Sequence, residues 1–150
     1  MSRSARFVLV PALLLALSSA APGRALTCKT LTPEEAATLL GPAPALRTAL
    51  EGGGCIYERG DRTLTVAQPA TLDDRQVVVQ AYEAQMASQQ GKPLAGIGDR
   101  AFLSKGNSGW RIGLLKGKTL GGLEVCGEGT DDPETGRKLE EAAKLVAGRL

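Results

Sequence analysis

The sequence of 150 residues contains no histidine. Every catalytic triad with an imidazole base, every metal site with histidine ligands and every imidazole pH switch is therefore excluded. Aromatic residues are also scarce, at 3% of the chain, while 23% of the residues are charged and neither sign is concentrated in one block. This composition is typical of a small globular protein, and the length is sufficient for one domain.

An uncharged, strongly apolar run lies near the N-terminus, where residues 7–17 follow Arg3 and Arg6 and precede small residues. A positive segment, an apolar segment and a zone of small residues are the three parts of a secretory signal peptide. We therefore predict a signal peptide over residues 1–25, cleaved between 20 and 25, and one mature domain over residues 26–150. The apolar run is shorter than the ~20 residues that cross a bilayer, so no transmembrane segment is expected in the mature form.

Cleavage after residue 25 would remove three basic residues and leave fifteen basic side chains against sixteen acidic ones. No basic block would remain to contact a phosphate backbone, so nucleic acid is not expected as a partner. The predicted location is the periplasm or the medium. Anchoring as a lipoprotein through Cys28 is the less favoured alternative, because Ala25-Leu26-Thr27 lacks the small residue expected directly before a lipidated cysteine.

Three cysteines in an exported chain allow one disulfide and one free thiol. We predict that Cys28, before the first helix, is bonded to Cys55, at the start of a strand, and that Cys126 is free. On the chain-entropy model, closing a loop of about 28 residues contributes about 3.5 kcal/mol to the free energy of unfolding. The sequence has no Cys-x-x-Cys, so it gives no support to a thioredoxin-like or zinc-ribbon role.

The pattern of apolar residues and turn residues predicts three helices and five strands. The first helix begins at the capping box Thr32-Pro33-Glu34-Glu35 and ends at Gly41, and a second helix covers residues 71–90. A third helix follows Asp132. The predicted strands are Cys55–Glu58, Thr63–Ala67, Arg100–Ser104, Trp110–Leu115 and Thr119–Cys126, and residues 42–54 are predicted to be a surface connection.

The short links between these strands favour an antiparallel sheet. The expected fold class is α+β, with a sheet of about five strands and helices packed on it, in the order α-β-β-α-β-β-β-α.

Several short motifs occur in an order known from one family. They are Cys28, the run Leu31-Thr32-x-Glu34-Glu35-Ala36-Ala37, Leu40-Gly41, Cys55, and Gly96-x-Gly98-Asp99-x-Ala101-Phe102. In this order the chain resembles a family of small exported bacterial domains of unknown function, many of them actinobacterial lipoproteins. The resemblance implies the same order of helices and strands and supports the bond between Cys28 and Cys55. It implies no catalytic residue, cofactor or ligand, and Cys126 is not part of the shared pattern.

Motifs that suggest chemistry have simpler interpretations. The run Gly96–Ala101 fits a loose dinucleotide-binding pattern, but a strand rather than a helix is predicted to follow it, so we interpret it as a turn. Arg59-Gly60-Asp61 is interpreted as a hairpin turn, and the paired carboxylates at residues 34–35, 73–74 and 131–132 as helix starts. No catalytic residue, metal ligand or cofactor is predicted.

A binding role is the remaining hypothesis. Trp110, the single tryptophan, is either a core residue or an exposed anchor for a partner. We predict a binding surface formed by Trp110, Gly96, Gly98 and Phe102 on an exported, non-enzymatic domain. Its partner would be another exported protein or a small ligand. Two alternatives stay open: an inhibitor or immunity-type partner of a secreted enzyme, and a thiol-dependent enzyme that uses Cys126.

Overall fold

The computed structural model describes residues 26–150, and the predicted signal peptide lies outside the described residues. The described part contains three helices and eight strands. They are α1 (Pro33–Leu40), β1 (Ala45–Ala49), β2 (Cys55–Arg59), β3 (Arg62–Val66), β4 (Ala70–Thr71), α2 (Arg75–Ser88), β5 (Lys92–Leu94), β6 (Arg100–Gly106), β7 (Gly109–Lys116), β8 (Thr119–Cys126) and α3 (Pro133–Ala147). The α+β class is confirmed, whereas the predicted number and order of strands are wrong.

The strands form one sheet in the order β1-β2-β3-β8-β7-β6-β5, and β4 pairs with the first residues of β8. Each strand pair between residues 26 and 150 is antiparallel. The centre of the sheet is the hairpin of β7 and β8, two strands of eight residues each. The predicted hairpin around Gly60 is also present, and Gly60 has the positive φ of +63° that its turn needs.

Three strands, β1, β4 and β5, were not predicted because they are short or irregular. Strand β1 lies within residues 42–54, predicted as a connection, and its pairing shifts register between Leu46 and Thr48. Such a bulge interrupts the alternation of buried and exposed residues that marks a strand in the sequence. Strands β4 and β5 have two and three residues, and prolines lie before the first and inside the second. The second helix, predicted over residues 71–90, covers Arg75–Ser88, and Thr71 belongs to β4 instead.

Helices cover both faces of the sheet. Helices α1 and α3 pack on one face over the larger core, whose strand residues include Tyr57, Leu64, Val66, Ile112, Leu114, Leu123 and Val125. Helix α2 packs on the other face over a smaller core of four buried residues, Val78, Tyr82, Phe102 and Leu115. The predicted stripe of Val78, Tyr82 and Met86 is therefore confirmed as packing, with Met86 at its edge.

The predicted disulfide between Cys28 and Cys55 is present, with a Cα–Cα distance of 5.8 Å. It joins the segment before α1 to the first residue of β2, and both cysteines are buried. Close to it, the Thr30 hydroxyl donates a 2.7 Å hydrogen bond to the carbonyl oxygen of Gly53. The disulfide therefore fixes the segment before α1 to the sheet.

A second tie joins the two ends of the described chain. The Glu35 carboxylate accepts hydrogen bonds of 2.6 and 2.7 Å from the Arg149 guanidinium, which also donates to the carbonyl oxygen of Thr30 at 2.9 Å. Glu35 also completes the predicted capping box with Thr32. The hydrogen bonds from Arg149, and then those from Thr32, lower the pKa of Glu35 to about 2, against the effect of burial.

We predict that Glu35→Gln lowers the free energy of unfolding by about 1–2 kcal/mol at neutral pH, because it removes one charge of this pair and keeps a capping box. A carboxylate with a depressed pKa stabilises the fold above its unfolded pKa, and the contribution is lost as pH falls through the folded value. The difference from the wild type should therefore shrink as pH falls from 4.5 to about 2. Urea unfolding at several pH values measures it.

Glu134→Gln is the matched control, since it removes an exposed pair with Lys138 on α3. Its effect should stay below about 0.5 kcal/mol. Equal effects of the two variants at neutral pH would contradict the role given to Glu35.

Candidate functional site

Helix α2 leaves part of its face of the sheet uncovered. Successive residues of a strand point to opposite faces of the sheet. The residues directly before and after Leu64, Ile112, Leu123 and Val125 in the sequence therefore point to the face that carries α2. Those not covered by α2 form what we call the open face: Ile56, Glu58, Thr63, Thr65, Ala67, Arg111, Gly122, Glu124 and Cys126. All nine are partly or fully exposed. On the opposite face of the same strands, Tyr57, Leu64, Val66, Ile112, Leu114, Leu123 and Val125 are buried.

A groove runs along the open face beside α2 and consists of two hollows. The first, of about 190 Å³, is lined by Thr65, Ala67, Gln85, Gln89, Arg111 and Glu124, among others. The second, of about 460 Å³, lies around the C-terminal end of α2 and includes Ser104, Asn107, Ser108 and Cys126. Gln89, Arg111 and Glu124 line both hollows.

The floor of the first hollow is open because Gly122 has no side chain. A Cβ atom there would lie 3.0 Å from the carbonyl oxygen of Ile112. Gln85 and Gln89 form the wall on the side of α2, one helical turn apart. The hollow therefore has polar side chains along α2 and at the Arg111–Glu124 pair, while Ala67, Ile112 and Leu123 contribute apolar lining.

An ion pair of Arg111 and Glu124 crosses the middle of the groove. The two residues are directly opposite each other in the β7–β8 hairpin. Nε and Nη2 of Arg111 donate to the same oxygen, Oε2 of Glu124, at 3.1 and 2.9 Å. Their side chains are 36% and 40% exposed, so a ligand in the groove reaches both charges.

Cys126 lies at the end of the groove, at the last position of β8. Burial, and then the neighbouring carboxylate of Glu124, raise the pKa of this thiol above its usual value. The thiolate is the nucleophilic form of cysteine, so both effects make the side chain less reactive at neutral pH. Its surroundings are the reverse of those that activate a catalytic cysteine.

We predict that iodoacetamide alkylates Cys126 near neutral pH at least about fivefold more slowly than free cysteine, because less of the thiol is ionised. Mass spectrometry of timed samples measures the rate. The unfolded protein, with its disulfide intact, should react at the rate of free cysteine. Faster alkylation in the folded state would instead favour the thiol-dependent enzyme.

Trp110, the first member of the predicted binding surface, lies on the opposite face of the sheet. Its ring packs against the N-terminal turn of α3, where a Cβ atom at Gly136 would lie 3.2 Å from the ring. The ring nitrogen donates a 2.8 Å hydrogen bond to the carbonyl oxygen of Asp132. Trp110 is half-buried and holds the start of α3 on the sheet.

Gly96 and Gly98 belong to the turn between β5 and β6, and both have positive φ, +79° and +55°. The next residue, Asp99, connects this turn to the β7–β8 hairpin. Its carboxylate accepts a 2.8 Å hydrogen bond from the amide of Gly117, and its own amide donates to Leu115 at 2.8 Å. The bond from Gly117, and then Arg75, lower the pKa of Asp99.

The structure does not bring the four predicted surface residues together. Phe102 is fully buried under α2 and offers no surface to a partner. The glycine turn meets β7 at Leu115, five residues from Trp110 and thus about 17 Å away along the strand. The Gly96–Phe102 motif therefore serves the fold as a turn and a core residue.

We predict that Gly98→Ala destabilises the protein by at least about 2 kcal/mol, because positive φ is combined with a clash against rigid backbone. The added Cβ would lie 2.7 Å from the carbonyl oxygen of Leu115. Gly96→Ala is the matched control, since no atom lies within 4 Å of its Cβ position. It should lose only about 1 kcal/mol in urea unfolding. Equal losses would show that the contact with Leu115 is unimportant.

Residues 26–150 contain neither a metal-binding cluster of side chains nor a helix suited to span a membrane. No group of three or more Cys, Asp or Glu side chains is arranged there to hold a metal ion. None of the helices in that range combines the length and the apolar character that crossing a membrane requires. Comparison of the chain with family models, with curated proteins and with solved structures gives no match.

Apart from Cys126, which was named for a thiol-dependent enzyme, the residues of the groove were not among the predicted site residues. Arg111 lies six residues before Gly117 and Glu124 lies six residues after Lys118, so the two are at equal distance from the turn between β7 and β8. This symmetry would have paired them once the turn was located. Gln85 and Gln89 gave no such indication, because polar residues on a helix are ordinarily solvent-exposed.

Proposed function

We propose that the protein is an exported, non-enzymatic binding domain, and that the groove beside α2 holds its ligand or partner. The observation that carries this proposal is the arrangement of the open face, where the Arg111–Glu124 pair lies half-exposed between two hollows. Concave sites with a few convergent polar groups are the usual places where proteins hold small ligands.

Export is supported by three features. The N-terminal sequence has the parts of a signal peptide, and the Cys28–Cys55 disulfide is of the kind that persists in oxidising compartments. The resemblance to small exported bacterial domains points the same way. The predicted location is therefore the periplasm or the medium. Intact mass of the protein recovered from outside the cytosol tests it, because cleavage and disulfide formation each change the mass.

A non-enzymatic role is supported by the chemistry of the groove. Its one thiol, at Cys126, has a raised pKa. The Glu124 carboxylate is paired with Arg111 rather than with a second carboxyl group in a different environment, which is what acid–base catalysis requires. These groups are suited to holding a polar molecule.

The proposal is tested by NMR with ¹⁵N-labelled protein and a mixed panel of amino acids, monosaccharides, nucleotides and dicarboxylic acids. We expect at least one compound to shift the amide signals of Thr65, Gln89, Arg111 and Glu124. Thr65→Trp should abolish the shifts, because the indole would fill the first hollow.

Thr48→Trp provides the control, since Thr48 is exposed on β1 and does not line either hollow. This variant should bind as the wild type does. Binding that is unaffected by Thr65→Trp, or a panel that shifts none of the four amides, would contradict the proposed site.

A further inference from the structure

The Arg111–Glu124 pair gives the groove one positive and one negative group at the same point. Both side chains line both hollows, so a molecule in either hollow meets both charges. The other charged side chain that lines the second hollow is Lys105, whose ammonium lies 5.3 Å from the centre of the Trp110 ring. Because Trp110 is on the opposite face of the sheet, this contact directs Lys105 away from the pair.

The pair also keeps free hydrogen-bonding capacity. Both hydrogen bonds from Arg111 end on Oε2 of Glu124. Within residues 26–150, Nη1 of Arg111 and Oε1 of Glu124 have no hydrogen-bond partner. The donor and the acceptor therefore remain available to a ligand.

The chemistry of the pair selects for a ligand with both charges. A guanidinium binds a carboxylate through two parallel hydrogen bonds, and a carboxylate accepts hydrogen bonds from an ammonium group. An anion without a positive group would be repelled by Glu124, and a cation without a negative group by Arg111. An exposed ion pair contributes little to stability, so a ligand replaces its hydrogen bonds at small cost.

The dimensions and the other lining groups favour a small molecule. The first hollow, at about 190 Å³, is smaller than the several hundred Å³ typical of ligand sites, and the second, at about 460 Å³, lies in the lower part of that range. Thr65, Gln85 and Gln89 add uncharged donors and acceptors around the pair. One paired positive and negative charge among uncharged lining groups matches a ligand without net charge.

We infer that the groove binds a small zwitterion, with its carboxylate on Arg111 and its ammonium group on Glu124. A free α-amino acid is the simplest molecule of this class. The inference rests on the proposed function and names the ligand class of the same site.

The test titrates each of the twenty common L-amino acids into ¹⁵N-labelled protein, up to about 10 mM, which detects a Kd near 1 mM. We expect at least one to shift the amides of Arg111, Glu124 and Thr65. N-acetylation or amidation of that amino acid removes one charge and should weaken binding about tenfold or more, since hydrogen bonds between charged groups are lost.

Arg111→Met and Glu124→Gln should each weaken binding about tenfold or more for the same reason. The matched control is the second cross-strand pair, Arg47 and Glu58, which is joined at 3.1 Å and lies outside both hollows. Arg47→Met and Glu58→Gln should leave the Kd unchanged. Urea unfolding of all four variants shows that the fold is retained.

The inference is overturned if no amino acid shifts the groove amides, or if the capped forms bind as well as the free one. If the amino acids fail while a sugar, nucleotide or dicarboxylic acid of the mixed panel shifts the same amides, the ligand class is wrong and the proposed function stands. If neither set of compounds shifts them, both proposals fail.

Discussion

The register of the β7–β8 hairpin is the constraint on which the rest of the structure depends. It places Ile112, Leu114, Leu123 and Val125 on one face, where α1 and α3 bury them. The same register places Arg111 opposite Glu124 on the other face, beside α2. Because a shift by one residue would exchange the two faces, core and groove are fixed together by one pairing.

The two layers of helices differ in how firmly they are held. The α1 and α3 layer is joined to the sheet through the Cys28–Cys55 disulfide and closed by the Glu35–Arg149 pair. Helix α2 buries only Val78 and Tyr82 of its fourteen residues. One helix of this kind cannot cover a sheet of eight strands, and the uncovered part is the open face.

Much of the fold could be predicted from the sequence because its elements have strong local patterns. Local patterns of this kind are the capping box at Thr32, the turn at Gly60 and the alternation of apolar residues along β7 and β8. Each depends only on residues close together in the sequence. The missing strands depend on distant partners: β1 is recognisable only through its pairing with β2, and β4 only through β8. The groove could not be predicted for the same reason, since it joins residues of α2 to β3, β7 and β8.

A polar groove is tolerated on this small domain because the larger core lies elsewhere. Burial of the strand residues under α1 and α3 supplies most of the apolar contacts that hold the sheet together, so the opposite face contributes only the smaller core under α2. Arg111 and Glu124 keep contact with solvent, which spares them the desolvation penalty of a buried pair. The same partial exposure leaves their charges accessible. A pair buried as deeply as Phe102 would be inaccessible to a ligand. A pair as exposed as Arg47 and Glu58 would be surrounded by water and not by the walls of a groove.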